Sequence, residues 1–354
     1  MYPFADGCFA PRNGWYVAAF AEEIGEALVS RTILNEPIVL YRKADGEAVA
    51  VGGRCPHRHF PLGASTRRDD DIVCGYHGIA FGPDGRCTRI PSQKNIPPTY
   101  RIPTFPLVEH GIWLFIWMGD AERADAGLLP SLDEIGFDSS DLTVRPIAFH
   151  EVRCRYQLLN DNLLDLSHLS FLHGSTSGGT ADAETPENLS QTPGMLRSRR
   201  NILNEAPPAF LSGLYGGLPD RVDRISGMDF YLPGFHAGLS EIRHVDTDGG
   251  GTGRLIHHAR IFHAVTPSTH DRSYYWFASG NANHLALDFI RENVKQVIAE
   301  DIFASEQIEQ MLQLIGHHPR ELMLRTDTGA VRARRLLQGM MDAERQRQQP
   351  HGAA

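Results

Sequence analysis

Read as a pattern of apolar and polar positions, the chain falls into two unlike stretches. Residues 15–118 alternate between short apolar runs (WYVAAF, EPIVLYR, EAVAVGG, DIVCGYH, IAFGPDGRCTRI, GIWLFIWMG) and polar turns. β-Branched and aromatic runs bounded by Gly and Pro predict a small all-β domain, with a tight hairpin at FGPDG, 81–85. The polar, turn-rich segment 119–141 marks a boundary. Beyond it, RYQLLNDNLLDLSHLSFLH (155–173) has apolar residues at helical spacing and no Gly or Pro. The stretch 174–194 is full of Gly, Ser, Thr and Pro and predicts a long loop, of the kind that serves as a lid. GMDFYLPGF, AGLSEIRHV, GRLIHHARIFHAVTP and SYYWFASGN predict an antiparallel sheet, and 288–315 and 320–347 read as helices. The expected fold class is α+β, with an all-β domain over 1–125, a domain of antiparallel sheet flanked by helices over 126–347, and a frayed tail at 348–354.

Composition narrows the picture. With 354 residues, 42% hydrophobic and 22% charged, the chain is ordinary globular protein, which excludes disorder, collagen and coiled coil as descriptions of the whole. Lys+Arg 34 against Asp+Glu 43 gives a net charge of -9, so no nucleic-acid partner is expected. The strongest apolar run, IWLFIWM at 112–118, is far short of the ~20 residues of a membrane span. The opening MYPFADGCFAPRNGWY lacks the basic and apolar regions of a signal peptide, so the expected compartment is the cytoplasm. Reduced thiols are expected there, and Cys8, Cys55, Cys74, Cys87 and Cys154 read as ligands or buried thiols rather than a disulfide framework. DGGGTG at 248–253 sits between strand patterns with no helix start behind it, so it reads as a hairpin turn and not a phosphate loop.

Chemistry enters with Cys55-Pro-His57 and, further on, Cys74-Gly-Tyr-His77. Two thiolates and two imidazoles are the ligand set of a Rieske [2Fe–2S] centre, thiolates on one iron and imidazoles on the other. Structural zinc is the competing reading of Cys₂His₂. Zinc fingers, however, usually pair like with like, whereas here Cys and His alternate within each loop, so that each loop bridges both irons. Composition gives such a pattern a chance occurrence of roughly 5×10⁻⁴. His59 reads as a polar loop residue, and Cys8, Cys87 and Cys154 as buried thiols.

A second constellation, Asn162, Asp165, His168 and His173, lies on the predicted helix. The first three share one face, but His173 is about 140° round from His168 on an ideal helix, so the helix must bend or end between them. Two histidines and a carboxylate form the facial triad of non-haem Fe(II) oxygenases. The carboxylate must come from afar, and VKQVIAEDIFASEQIEQML offers Glu300, Asp301, Glu306 and Glu309.

Taken together, the two constellations resemble the Rieske non-haem iron oxygenases, specifically the oxygenase (α) component in the branch of vanillate and dicamba O-demethylases. The resemblance spans essentially the whole chain. It implies a cluster on Cys55, His57, Cys74 and His77, and a mononuclear Fe(II) on His168, His173 and Asp301, the Asp of an E-D pair. It implies that Asp165 bridges a Rieske histidine, matching His77, to an iron ligand, matching His168, and that Asn162 stands close to the iron. It also implies a homotrimer, with that bridge running between subunits. No G-x-G-x-x-G follows a strand, so electrons are expected from a separate NAD(P)H-dependent reductase or ferredoxin.

The expected reaction is monooxygenation by O₂ of an aromatic small molecule, O-demethylation of a methoxy-arene with release of formaldehyde. Ring cis-dihydroxylation, C-hydroxylation of another substrate, and a plain Rieske electron carrier are the alternatives. Pocket candidates are Phe230, His263, Phe277 and Asn281, with Phe235 and Tyr275 beside them. Arg260 is a candidate partner for a substrate carboxylate, with an exposed ion pair as its simpler role.

Overall fold

A computed structural model describes residues 9–139, 141–179, 181–246, 253–282, 284–316 and 320–348. Cys8, the Gly-rich run up to residue 252 and the tail from 349 lie outside the described residues. The chain forms two compact units. One is Arg12–Ala126 together with the hairpin tip Thr266–His270; the other is chiefly Gly127–Val265 and Asp271–Ala354.

The first unit is all β. Its strands are β1 (Trp15–Phe20), β2 (Val29–Ile33), β3 (Glu36–Arg42), β4 (Ala48–Gly52), β5 (Thr66–Arg68), β6 (Asp71–Val73), β7 (Ala80–Phe81), β8 (Cys87–Arg89), β9 (Leu107–His110) and β10 (Trp113–Trp117). They make three small sheets, in the orders β1-β10-β9, β2-β3-β4 and β5-β6-β7-β8. The hairpin read from FGPDG joins β7 to β8: Gly82 N–H donates to Arg86 O, and Gly85 takes φ +76, where a side chain would be strained. Val39, Tyr41, Val51, Leu62, Ile72 and Phe81 pack into one core that also contains Cys55 and Cys74. The thiols therefore belong to the core, because the strands that precede them deliver the chain there.

The second unit is built on one seven-stranded sheet, order β11-β17-β16-β15-β14-β13-β12. These strands are β11 (Thr143–Val152), β12 (Asn188–Thr192), β13 (Met195–Glu205), β14 (Val222–Tyr231), β15 (Phe235–His244), β16 (Leu255–Thr269) and β17 (Arg272–Asn281). The helices are α1 (Tyr156–Leu164), α2 (Ala181–Glu184), α3 (Ala209–Tyr215), α4 (His284–Ile315) and α5 (Thr328–Gln348). β15 and β16, the strands on either side of the Gly-rich run, pair antiparallel.

Two expectations need correction. The predicted helix 155–173 ends at Leu164, where Asp165 turns out of helical backbone (φ -106, ψ 87) and caps a 3₁₀ helix, Leu166–Ser170. An Asp side chain that bonds the chain two residues on competes with the helical ladder; here Ser167 N–H donates to Asp165 Oδ1, 2.9 Å. The stretch 174–194 is likewise no structureless lid, since it contains α2 and the edge strand β12. Among the described residues no helix is long and apolar enough to cross a membrane.

Candidate active site and metal centres

The two Cys–His loops of the first unit have matching hydrogen bonds. Cys55 N–H donates to Phe60 O (2.9 Å) and His59 N–H to Cys55 O (2.9 Å); Cys74 N–H donates to Ile79 O (2.8 Å) and Gly78 N–H to Cys74 O (2.9 Å). The fifth residue of each loop turns through positive φ, His59 at +60 and Gly78 at +69. His59 thus fills a backbone role, and its Nδ1 accepts from Arg54 Nη1 (2.6 Å). Cys55 and Cys74 are buried (1% and 2% exposed), whereas His57 and His77 are exposed, their ring centroids 4.5 Å apart. Burial pushes the Cys55 thiol up, so a thiolate there needs a cation to hold it. Two buried sulfurs with two exposed, adjacent imidazoles fit the donor set that a Rieske cluster would need. Cys87 and Cys154 are buried, and burial raises both thiols.

In the second unit the break at Asp165 brings the two distant histidines round. His168 Nδ1 donates to the Asp165 carbonyl, and His168 Nε2 lies 3.5 Å from Asp301 Oδ1. His173 Nδ1 donates to Glu300 Oε2 (2.7 Å), and its Nε2 lies 3.0 Å from Asp301 Oδ1. Asn162 Nδ2 donates to the same Oδ1, 3.0 Å. Ligand atoms of His168, His173 and Asp301 lie within 4.8 Å of one another, a spacing that could hold one metal ion. Both rings are oriented through Nδ1, which leaves Nε2 for the shared point.

The charges fit such an ion. Burial alone would raise the Asp301 carboxyl, but hydrogen bonds from His168 and His173 outweigh it and hold it well below the usual carboxylate range. Burial alone would lower His173, yet Asp301 and Glu300 raise it.

Of the four candidate carboxylates on α4, only Asp301 meets both imidazoles. Glu306 accepts from Arg153 N–H (2.9 Å), and Glu309 holds Arg155 in two parallel bonds (2.6 and 2.8 Å). Glu300, which sequence reasoning weighed only as a ligand, orients His173 and also accepts from Thr176 Oγ1, 2.9 Å. Its neighbour in the E-D pair was the only available hint. Asp165 differs from expectation in one detail: within the chain its carbonyl, not its carboxylate, holds His168.

A cavity of about 220 Å³ opens on this triad, lined by Asn162, His168, His173 and Asp301 and walled mainly by aliphatic and aromatic side chains such as Leu214, Met228, Ile261 and Phe277. Cavities of ~150 Å³ accommodate benzene, so one substituted ring has room. His263 and Phe277 line it. His263 Nδ1 is 2.6 Å from the Tyr275 hydroxyl, and burial lowers the imidazole to about 4, so it is neutral at pH 7. Phe230 stacks on His236 (4.5 Å) and Phe235 on Phe262 (6.3 Å), away from the lining. Asn281 supports the lining residue Tyr215 from behind, donating to its hydroxyl (3.1 Å). Arg260 does not line the cavity, because strand alternation turns it away from Ala259, Ile261 and His263, which do.

Comparison with known proteins decides the family. Residues 14–106 match the Rieske [2Fe-2S] domain, and residues 152–343 match the vanillate O-demethylase oxygenase C-terminal domain. The chain belongs to the Rieske oxygenases of the vanillate O-demethylase branch. The oxygenase is 33% identical to the toluene-4-sulfonate monooxygenase system iron-sulfur subunit of Comamonas testosteroni over 94% of this chain and 97% of that one. It is 30% identical to the dicamba O-demethylase oxygenase component of Stenotrophomonas maltophilia, over 94% and 98%. Dicamba monooxygenase bound to dicamba superposes with a TM-score of 0.83 at 28% identity, covering 95% of this chain and 98% of the other. The fold class is therefore an N-terminal Rieske domain followed by a sheet-rich catalytic domain with helices. The cofactors are a Rieske cluster and a mononuclear non-haem iron, and the electrons come from a separate protein.

Proposed function

We propose that this oxygenase removes the methyl group of a methoxy-arene, with Cys55, His57, Cys74 and His77 holding the cluster and His168, His173 and Asp301 holding the iron. The supporting observation is the convergence of two Nε2 atoms and one carboxylate oxygen at the mouth of a ring-sized apolar cavity. Balanced, the reaction takes the ether, O₂, two electrons and two protons to the phenol, formaldehyde and water. The bound iron and cluster supply reductive activation of O₂ and oxidation of the methyl C–H. The chain itself does the rest. Asp165 O and Glu300 fix the two imidazole tautomers, Asn162 steadies the Asp301 carboxylate, and the apolar walls exclude water and place the ring. Ring cis-dihydroxylation and other C-hydroxylations use the same donors, and the names of the vanillate and dicamba O-demethylases among the relatives favour demethylation.

The working unit in this reading is a homotrimer in the cytoplasm, fed by an NAD(P)H-dependent reductase or its ferredoxin, with domains over 1–125 and 126–347. An assembly is supported by apolar side chains left exposed along α4, among them Phe303, Met311 and Leu314. Within it Asp165 would link the two histidines, its carbonyl on His168 and its carboxylate accepting from His77 of a neighbouring copy. The test is metal and sulfide analysis followed by turnover: about three irons and two sulfides per chain, with formaldehyde released one-for-one with O₂ consumed, support the reading. Full metal content with oxygen retained on the ring in a cis-diol overturns the demethylation.

A further inference from the structure

The cavity above the triad is the place where a substrate's charge must be accommodated, and its charged wall is closed. Arg224 lines it, buried at 6% exposure. Its Nη2 donates to Asp182 Oδ2 (2.9 Å) and its Nε to Glu205 Oε1 (2.6 Å). One cation between two carboxylates leaves that wall with an excess negative charge. Asp301 in the lining and Glu300 behind His173 together would match the charge of a divalent ion held there, so the metal site would add no net attraction for an anion. His263 is neutral, as burial dictates. Among the described residues lining the cavity, no uncompensated cation remains.

What the sheet does offer is hydroxyls. Ser226 on β14 and Ser240 on β15 face each other in register, and Ser279 lies on β17; all three line the cavity. The Oγ atoms of Ser226 and Ser279 are buried, at 7% and 0% residue exposure, and have no hydrogen-bond partner. A buried hydroxyl without a partner is costly, and a ligand atom that bonds it recovers the loss. A hydroxyl matches an ether, carbonyl or amide, and only weakly replaces the hydration of a full charge.

We propose that this cavity takes an uncharged aromatic substrate bearing a neutral hydrogen-bonding group, recognised by Ser226 and Ser279, and discriminates against carboxylate- and sulfonate-bearing rings. The inference rests on the demethylase reading for the site's chemistry, and it separates this oxygenase from relatives named for vanillate and toluene-4-sulfonate.

The experiment is calorimetric titration of the anaerobic holoenzyme with para-anisamide and with para-anisate, which differ in charge and hardly in shape, together with formaldehyde release from each in the presence of reductase. The amide is expected to bind at least about 100-fold more tightly, since the anion is desolvated without a partner charge. Equal or tighter binding of para-anisate overturns the proposal, as does failure of the amide to bind at millimolar concentration. Binding of the amide without formaldehyde leaves the substrate class standing and overturns only the demethylation. Ser226→Ala is expected to weaken the amide roughly tenfold and leave the anion unchanged. Glu205→Gln, which strips one charge from Arg224, is expected to narrow the preference by about tenfold; an unchanged preference in both variants overturns the origin assigned to it.

Discussion

At the scale of single residues, two adjacent carboxylates on α4 perform different tasks. Asp301 faces both Nε2 atoms, whereas Glu300 reaches only Nδ1 of His173. Asp301→Ala should lose the mononuclear iron and all turnover while the cluster's visible spectrum persists, as read by metal analysis and absorbance. Glu300→Gln should keep the iron but bind it about 10- to 100-fold more weakly, because the ring loses its charged orienting partner; competition with a chelator measures that. The ligand types and one pair of spacings were legible in the sequence. The choice among Glu300, Asp301, Glu306 and Glu309 was not, because one helix turn places several carboxylates within reach and only the partners Arg153, Arg155 and His173 tell them apart.

At the scale of elements, the decisive event is the break after Leu164. The sequence 155–173 has a sound helical pattern, and the pattern is silent about Asp165 capping a new 3₁₀ turn. The turn then wraps back on itself: the N–H groups of Thr176, Ser177 and Gly178 all donate to His173 O. A Cβ on Gly178 would stand 1.7 Å from Leu169 O, a collision with backbone that nothing flexible can relieve. Gly178→Ala should therefore displace the His168–His173 turn and reduce bound iron by more than half without unfolding the domain, as iron analysis beside far-UV circular dichroism would show. Strands were easier to read, since period-two alternation survives in the finished sheet: Ala259, Ile261 and His263 line the cavity while Arg260 points away. The chain order of strands could not be read, because β11 pairs with β17 across almost the whole domain.

At the scale of the whole molecule, the proposed bridge gives Asp165 a role that depends on assembly. In the proposed trimer, Asp165→Asn should leave both metals in place and slow turnover by at least about tenfold, with the assembly state unchanged by light scattering; single-turnover reduction kinetics locate the loss in electron transfer. Stability depends on another long-range pair. Arg155 (8% exposed) and Glu309 (1%) are buried together, and Glu309→Gln should cost about 3–5 kcal/mol by stranding the guanidinium. Burial alone would raise the Glu309 carboxyl, but Arg155 outweighs it and the net shift is down. The pair's contribution is therefore fully present above the unfolded carboxylate range near ~4.3 and is lost as pH falls through the lowered folded value. Melting temperatures of the two proteins should converge on acidification.

The same pair sets a lever. Arg155 precedes α1, which carries Asn162, and Glu309 lies on α4, which carries Asp301 two turns away, about 12 Å along the axis at 1.5 Å per residue. With the joint as fulcrum, a swing of about 5° would carry the Asp301 carboxylate roughly 1 Å from its histidines, twice the ~0.5 Å tolerance of a working site. The rigidity of a buried ion pair outside the cavity lining is thus a mechanical specification of the proposed iron site.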